Sequence, residues 1–143
     1  MASKPVVAAK EEDQENALKL KSSTRSRSPK LTEAAIQKAI LQYLAARRIV
    51  HFRINVIGVP KSDGTFRPNV TMVGMADIHV IFPIKGVGAS VHLEVKTPKG
   101  RQTDKQKDFQ LQVEKARGYY FIVRSVEDVH NIISQLEKIN DQR

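Results

Sequence analysis

Two neighbouring runs of residues predict a pair of β-strands that carry charged groups on one face. In residues 91–96 (VHLEVK), apolar and polar side chains alternate with the two-residue period of a strand. Glu94 and Lys96 therefore point to the same side. Residues 76–82 (ADIHVIF) form a second apolar run, and Asp77 lies at its beginning. The glycine-containing segment 83–89 between the runs is typical of a hairpin connection.

The register of this hairpin decides which charged groups meet. Symmetric pairing of the two runs would place Asp77 opposite Lys96 and His79 opposite Glu94. Directly opposed residues share a face of the sheet, and diagonal neighbours lie about 7–8 Å apart. Two carboxylates and an ammonium group would therefore converge on one spot. Such a set suits a hard divalent cation and a phosphate ester.

Composition narrows the class of protein. The chain has 143 residues, which fits one domain, and it has no cysteine, which excludes disulfides and thiolate metal sites. Its formal net charge is +9, with 24 Lys and Arg against 15 Asp and Glu, and this favours nucleic acid as a partner over a merely solvated basic surface.

No apolar stretch approaches the roughly 18 residues of a membrane span. The run VVAA at 6–9 is too short for a signal-peptide core, so we expect an intracellular protein, in the cytoplasm of a host or bacterial cell or in a nucleus.

The first 30 residues differ from the rest of the chain. Residues 1–30 mix charges with serine and proline and lack a sustained apolar period, which predicts a disordered, basic tail. The Ser-Arg alternation at 22–28 is compatible with a phosphorylation or localisation signal, although a plain solvated tail is favoured. Residues 31–143 are predicted to form the folded domain.

Periodicity in the folded part predicts seven elements. Thr32 is a candidate cap for a first helix, in which Glu33 is expected near the buried edge. A strand follows at 50–57, and residues 65–74 are expected to form a loop before the hairpin. The order is α-β-β-β-α-β-α, and the simplest packing is an α/β fold with a mixed sheet flanked by helices.

The second half of the pattern contains the clearest helix signals. Thr103 and Gln106 have the spacing of a capping box, and Gly118 is expected to end that helix in a left-handed conformation. A short strand at 119–123 and a last helix opened by Ser125 complete the order.

Several segments together resemble a known family. GMADI at 74–78, LEVKTPKGR at 93–101, Gln106 and Phe109 resemble the VRR-Nuc domain of the PD-(D/E)XK nuclease superfamily, whose restriction-endonuclease-like core has the predicted element order. The likeness includes the helix at 32–37 and the strand at 120–125, and it extends from about residue 31 to 129. Ala76 stands where the superfamily name implies proline, at a position that shapes the turn and does not bind metal.

The resemblance implies roles for particular residues, each of which also has an ordinary interpretation. It implies metal binding by Asp77, Glu94, the Val95 carbonyl and, as an auxiliary ligand, Glu33. It implies that Lys96 stabilises charge and that Gln106 assists beside it. From the residues alone, the acids could be exposed surface groups or could complement a helix dipole, the lysine could form a simple salt bridge, and the glutamine could only cap its helix.

Other residues are candidates for contacts with DNA. A basic cluster follows the second charged strand: Lys99, Arg101, Lys105 and Lys107. Arg53 and Asn55 could touch a phosphate, although ordinary sheet polar groups are favoured there. The four histidines are expected to be structural and not zinc ligands. No glycine-rich phosphate loop indicates a nucleotide cofactor, and the few aromatic residues show no base-stacking platform.

The resemblance implies an activity as well as a fold. It implies a Mg²⁺- or Mn²⁺-dependent DNA endonuclease whose products carry 5′-phosphates. A compact domain of this kind is similar to standalone members associated with viruses and mobile elements, which implies a homodimer that cuts branched DNA, such as four-way (Holliday) junctions, in recombination or repair. Two alternatives stay open: a non-catalytic module that holds branched DNA, and a restriction-like nuclease with sequence preference.

Overall fold

The computed structural model describes residues 30–54, 58–67 and 73–142. The predicted tail, apart from Lys30, lies outside the described residues, as do Asn55 and the end of the predicted strand at 50–57. Residues Leu31–Arg143 cluster as one compact unit.

The described residues form three helices and six strands. The helices are α1 (Glu33–Ala46), α2 (Asp104–Lys115) and α3 (Val126–Asp141), and the strands are β1 (Val50–Arg53), β2 (Val59–Pro60), β3 (Phe66–Arg67), β4 (Ile78–Ile84), β5 (Val87–Val95) and β6 (Tyr119–Val123). The main sheet has the order β1-β4-β5-β6, in which the first two pairings are antiparallel and the last is parallel. This confirms the predicted α/β class with a mixed sheet flanked by helices.

The loop expected at 65–74 is wrong in part. Phe66–Arg67 pairs with Val59–Pro60 in a separate two-stranded sheet. Its turn at 61–64 contains the sequence KSDG, in which Gly64 has φ 81°. Two-residue strands bury little surface, and so they carry almost no periodic signal in the sequence.

The apolar core lies between one face of the main sheet and helices α1 and α3. Ile40 and Leu44 of α1, Leu93 of β5, and Val129 and Ile133 of α3 are all buried there. A smaller cluster on the opposite face contains Ala76, Val113 and Tyr120, with Phe109 packed against it. Because α1 and α3 pack against the apolar face of β5, the polar face of that strand lies on the side of α2.

The predicted helix starts are confirmed, and one predicted helix end is wrong. The side chains of Thr32, Thr103 and Ser125 each accept a hydrogen bond from a backbone N–H of the first turn. At the end of α2 the left-handed residue is Arg117, with φ 64°, and not Gly118. Gly118 is needed for close packing instead, because a Cβ atom there would lie 2.9 Å from Cγ1 of Val113.

The hairpin is tighter than its sequence predicts. Only Lys85 and Gly86, both with positive φ (49° and 82°), connect β4 to β5, so most of the segment 83–89 is strand. Ile78 pairs with Leu93, which places Asp77 beside Glu94 and not opposite Lys96. The predicted register is therefore wrong by two residues. A shift of two residues keeps every side chain on its predicted face, and the charged groups still share one side.

No helix in the described ranges is both long and apolar enough to cross a lipid bilayer.

Candidate active site

A buried ion pair lies at the end of the central strand β5. Glu94 is 0% exposed and Lys96, one residue past the strand, is 7% exposed. Lys96 Nζ lies 2.8 Å from Glu94 Oε1. Removing two charges from water costs several kcal/mol per ion, and such groups are common at functional sites. The salt-bridge interpretation of Lys96 is therefore confirmed, and it is compatible with a role in catalysis.

Gln106 joins this pair to the start of α2. Its Nε2 donates a hydrogen bond to Glu94 Oε1, and its Oε1 accepts one from the backbone N–H of Thr103 at 2.8 Å. The Thr103 side chain completes the capping box by accepting from the Gln106 N–H at 3.3 Å. One carboxamide thus caps the helix and orients the buried carboxylate, so the two sequence interpretations of Gln106 do not compete.

Asp77 places a second carboxylate beside Glu94. It lies half-buried just before β4, and its Oδ2 accepts a hydrogen bond from the Val95 N–H at 2.8 Å. Burial raises the pKa of Asp77 above its ordinary value, although the Val95 N–H and the Lys96 ammonium group oppose that shift. Burial likewise raises the pKa of Glu94; the hydrogen bond from Lys96 opposes this, and the charge of Asp77 adds to it.

The donor set fits a hard divalent cation. Two carboxylates with raised pKa values gain from a nearby positive charge, because it favours their ionised forms. In the described parts of the chain, no group of three or more His, Asp or Glu residues is arranged to hold a metal ion. A metal between Asp77 and Glu94 would thus complete its shell with backbone oxygen, water and phosphate, as Mg²⁺ commonly does. The role of the Val95 carbonyl remains a prediction.

Tyr120 lies against the carboxylate of Glu94, and Gln102 lies against Tyr120. The Tyr120 hydroxyl lies 3.4 Å from Glu94 Oε2, and Gln102 Nε2 lies 3.4 Å from the same hydroxyl. Burial raises the pKa of Tyr120, so its phenol stays protonated and can donate. The sequence did not indicate either residue for the site. Only the parallel pairing of β5 with β6 brings Tyr120 to Glu94.

Glu33 lies at the rim of the site. It was expected near the buried edge of α1, and its side chain is exposed there. Its charge nevertheless acts on Asp77, whose pKa it helps to raise. Its Oε1 also lies near Gly100, since a Cβ atom built there would be 3.2 Å away. Its role as an auxiliary metal ligand stays a prediction.

The basic cluster is solvent-exposed. Lys99, Arg101, Lys105 and Lys107 lie on the loop after β5 and on the first turn of α2. Lys107 Nζ pairs with Asp104 Oδ1 at 3.1 Å, which offsets part of its charge. Arg53, at the exposed end of β1, is close enough to Asp77 to lower its pKa.

Arg124 is a further residue that the sequence did not indicate. It follows β6, and its guanidinium donates to the carbonyl oxygens of Thr97 and Gly100, the latter at 3.0 Å. These contacts fasten the loop that carries Lys99 and Arg101. The signal that could have found Arg124 is the parallel pairing, which places the ends of β5 and β6 side by side.

His79 and His92 share a hydrogen-bond partner on the sheet. Ser90 Oγ lies 2.9 Å from His79 Nε2 and 3.0 Å from His92 Nε2, and the two rings stack with centroids 4.6 Å apart. Burial lowers the pKa of His79, and it lowers that of His92 to about 4. Both imidazoles are thus neutral near pH 7, as structural histidines within a sheet can be.

Comparison with known proteins gives one structural relative. No family profile matches the chain, and no curated protein sequence matches it. A solved structure described as "VRR_NUC domain" is similar, with a TM-score of 0.50 and 20% sequence identity over 71% of this chain and 94% of that chain. The likeness supports the resemblance carried by the residues around Asp77 and Glu94. The chain therefore has the fold of a VRR_NUC domain.

Proposed function

We propose that this protein is a Mg²⁺- or Mn²⁺-dependent endonuclease that hydrolyses phosphodiester bonds in DNA. The VRR_NUC fold is that of a nuclease-type domain. The observation that carries the proposal is the buried Lys96–Glu94 ion pair with Asp77 beside it. A fold that required only stability would gain little from burying these charges.

The fixed ammonium group suits the chemistry of phosphodiester hydrolysis. Negative charge builds up on the phosphoryl oxygens as water attacks, and a pre-oriented donor in a dry site stabilises that charge without reorganisation. Lys96 is held in place by Glu94, and Glu94 is held by Gln106. The ammonium group can therefore stabilise the phosphoryl charge and orient the attacking water.

The two carboxylates supply the metal site. Asp77 and Glu94 would hold the cation, with Glu33 at the rim as an auxiliary ligand. When bound, the metal would polarise the phosphoryl oxygen and lower the pKa of a coordinated water. The Val95 N–H fixes the orientation of Asp77 through Oδ2.

The exposed cations supply binding to the DNA backbone. Lys99, Arg101 and Lys105 lie close in sequence to Lys96 and Gln106, and the whole chain carries a net charge of +9. Each phosphate that such a group neutralises releases counterions, so binding should weaken steeply with salt.

Branched DNA, such as a four-way junction, is the proposed substrate, and a homodimer is the proposed assembly. Both follow from the family resemblance. A two-fold dimer would present two equivalent sites to opposed strands. A module that only bound DNA would not require the buried ion pair next to a second carboxylate.

The deciding experiment is cleavage of labelled DNA by the purified protein. Four-way junction, flap and linear duplex are incubated with Mg²⁺, with Mn²⁺ and with EDTA. We expect cutting of branched DNA in either metal, loss of cutting in Asp77→Asn and Lys96→Met, and retained binding in both variants. Glu137→Gln is the matched control, because it neutralises an exposed carboxylate on α3, which packs on the opposite face of the sheet.

Two outcomes would replace the proposal. Binding of branched DNA without cutting in either metal would leave a non-catalytic module. Cutting of linear duplex at one fixed sequence would indicate a restriction-like enzyme.

A further inference from the structure

An exposed phenylalanine lies on the same face of the sheet as the candidate active site. Phe52 of β1 pairs directly with His79 of β4, and its ring centroid lies 6.3 Å from that imidazole. The residue is 51% exposed. A large aromatic residue left half in solvent beside a polar site is a common feature of binding surfaces.

The position of Phe52 relative to Asp77 is set by the register. Asp77 lies two residues before His79, so Phe52 and Asp77 are diagonal neighbours, with Cα atoms about 7–8 Å apart. The Ile54 N–H, two residues past Phe52, donates to the Asp77 carbonyl at 2.8 Å and keeps the two strands together at this end. A group that extends from a phosphate bound at Asp77 can therefore reach Phe52.

Phe52 is the exposed end of a row of rings that crosses the sheet. Successive centroid distances are 6.3 Å to His79, 4.6 Å on to His92, 5.3 Å to Phe109 and 6.3 Å to Tyr120. At the inner end, Tyr120 is buried beneath α2. The sequence showed few aromatic residues and no array of them for stacking. In the fold, one ring of this row is exposed, and the others lie behind it.

We propose that Phe52 stacks on an unpaired nucleobase adjacent to the phosphate that is held at Asp77 and Glu94. The inference rests on the proposed function and narrows its substrate to DNA that is splayed open next to the cut. Bases inside a duplex are already stacked on each other, whereas an unpaired base offers a free face to an aromatic side chain.

DNA fits this surface better than a protein partner does. Among the residues that the structure describes, the exposed apolar strip around Phe52 adds the side chains of Val50 and Ile81, which pair with each other on the same face. Stable protein interfaces bury roughly 800 Å² per partner, far more than three side chains offer. Arg53 pairs with Ile78 and so starts from the other face of the sheet, but it is close enough to Asp77 to lower the pKa of that carboxyl. The exposed cations Lys99 and Arg101 lie past the end of β5. A nucleotide combines a phosphate for those charges with an apolar face for the ring.

The test is DNA binding in EDTA, where cleavage plays no part. A forked DNA and a matched DNA with an abasic site at the unpaired nucleotide nearest the fork are compared by fluorescence anisotropy. Stacking on one base is worth about 1–3 kcal/mol, so we expect Phe52→Ala to weaken binding to the intact fork about 10-fold or more. It should leave binding to the abasic fork almost unchanged.

Three further variants separate stacking from other roles. Phe52→Trp should retain the affinity of the wild type, because it keeps an aromatic face. Phe52→Leu should lose as much as Phe52→Ala, although it keeps apolar bulk. Ile81→Ala alters the same exposed strip without removing a ring, and it should change binding by less than about twofold, since an exposed aliphatic side chain offers no stacking surface.

Other results would overturn the inference. Equal losses on intact and abasic forks, or wild-type affinity in Phe52→Leu, would exclude stacking on a base. A shift from dimer to monomer in Phe52→Ala, measured by sedimentation, would mean that a second copy of the chain occupies the strip. If Phe52→Ala weakened binding only to the intact fork and the wild type cut no DNA, the proposed nuclease activity would be wrong and the stacking role would stand.

Discussion

Lys96 and Glu94 form a 2.8 Å ion pair in a region from which solvent is almost excluded. The pair stands at the junction of β5, α2 and β6, where Gln106 and Tyr120 also reach the carboxylate. This relationship makes the site sensitive to the loss of either charge.

Removing only the lysine should therefore be costly. Lys96→Met leaves a buried carboxylate without its counter-ion, and we expect a loss of about 3–5 kcal/mol in the free energy of unfolding at pH 8. The double variant Lys96→Met/Glu94→Gln should be more stable than Lys96→Met alone, because no buried charge remains. Urea unfolding of both singles and the double measures the coupling. Strictly additive losses would mean that the pair does not interact in solution.

Variants of Gln106 and Thr103 should separate the effect of capping α2 from the effect of orienting the Glu94 carboxylate. Thr103→Ala removes only the cap and should cost about 1 kcal/mol of stability with little change in DNA cleavage. Gln106→Ala also frees Glu94, and we expect kcat to fall roughly 100-fold, since small displacements at a site are costly. Parallel urea-unfolding and cleavage assays measure both effects. Equal cleavage in the two variants would mean that Gln106 only caps α2 and does not assist catalysis.

Arg124 should act on DNA binding through the loop that it fastens. Arg124→Ala loses both carbonyl contacts, and Arg124→Lys keeps the charge but loses the guanidinium that holds the two carbonyl oxygens together. We expect KM to rise in both variants, with a smaller effect on kcat, and amide exchange at residues 97–101 to accelerate. A normal KM in Arg124→Lys would show that DNA binding depends on the charge of Arg124 and not on its hydrogen bonds to the loop.

Gly74 should tolerate substitution less well than Gly64. Both have positive φ (87° and 81°), but a Cβ atom at Gly74 would lie 2.5 Å from the Lys105 carbonyl oxygen, whereas the space around Gly64 is open. Gly64→Ala should cost about 1–2 kcal/mol from the backbone conformation alone. Gly74→Ala should cost clearly more, because the segment before Asp77 must move away from α2. Urea unfolding compares them, and equal losses would contradict the close approach.

His92 should make the fold sensitive to mild acid. Its pKa is about 4 in the folded protein against roughly 6.5 in an unfolded chain, so between these values the unfolded state binds more protons. This contribution to stability is complete above pH 6.5 and is lost as pH falls towards 4. In His92→Gln, unfolding free energies at pH 7, 6 and 5 should decline less than in the wild type. Parallel declines would show that His92 does not titrate in this window.

Local chemistry made part of the site predictable. Alternation within residues 91–96 placed Glu94 and Lys96 on one face, and the spacing of Thr103 and Gln106 fixed the start of α2. These signals depend on neighbours within four residues, so the chain carries them whatever its tertiary contacts. The order of the main elements followed from the same short-range periodicity.

Long-range packing decided the rest. The register of the hairpin depended on a two-residue turn at Lys85, and the contact of Tyr120 with Glu94 depended on which strand lies beside β5. The hydrogen bonds of Arg124 to the loop after β5 likewise depend on the pairing of β5 with β6.

The sequence by itself determined which face of each strand is polar, because a two-residue period is a property of the extended backbone. Only the tertiary structure decided that Glu94 is sealed from water, that Asp77 stands beside it, and that Phe52 is left exposed on the same side. The reason is that burial and proximity depend on which strands pair and where the helices pack, and residues far apart in the chain settle both.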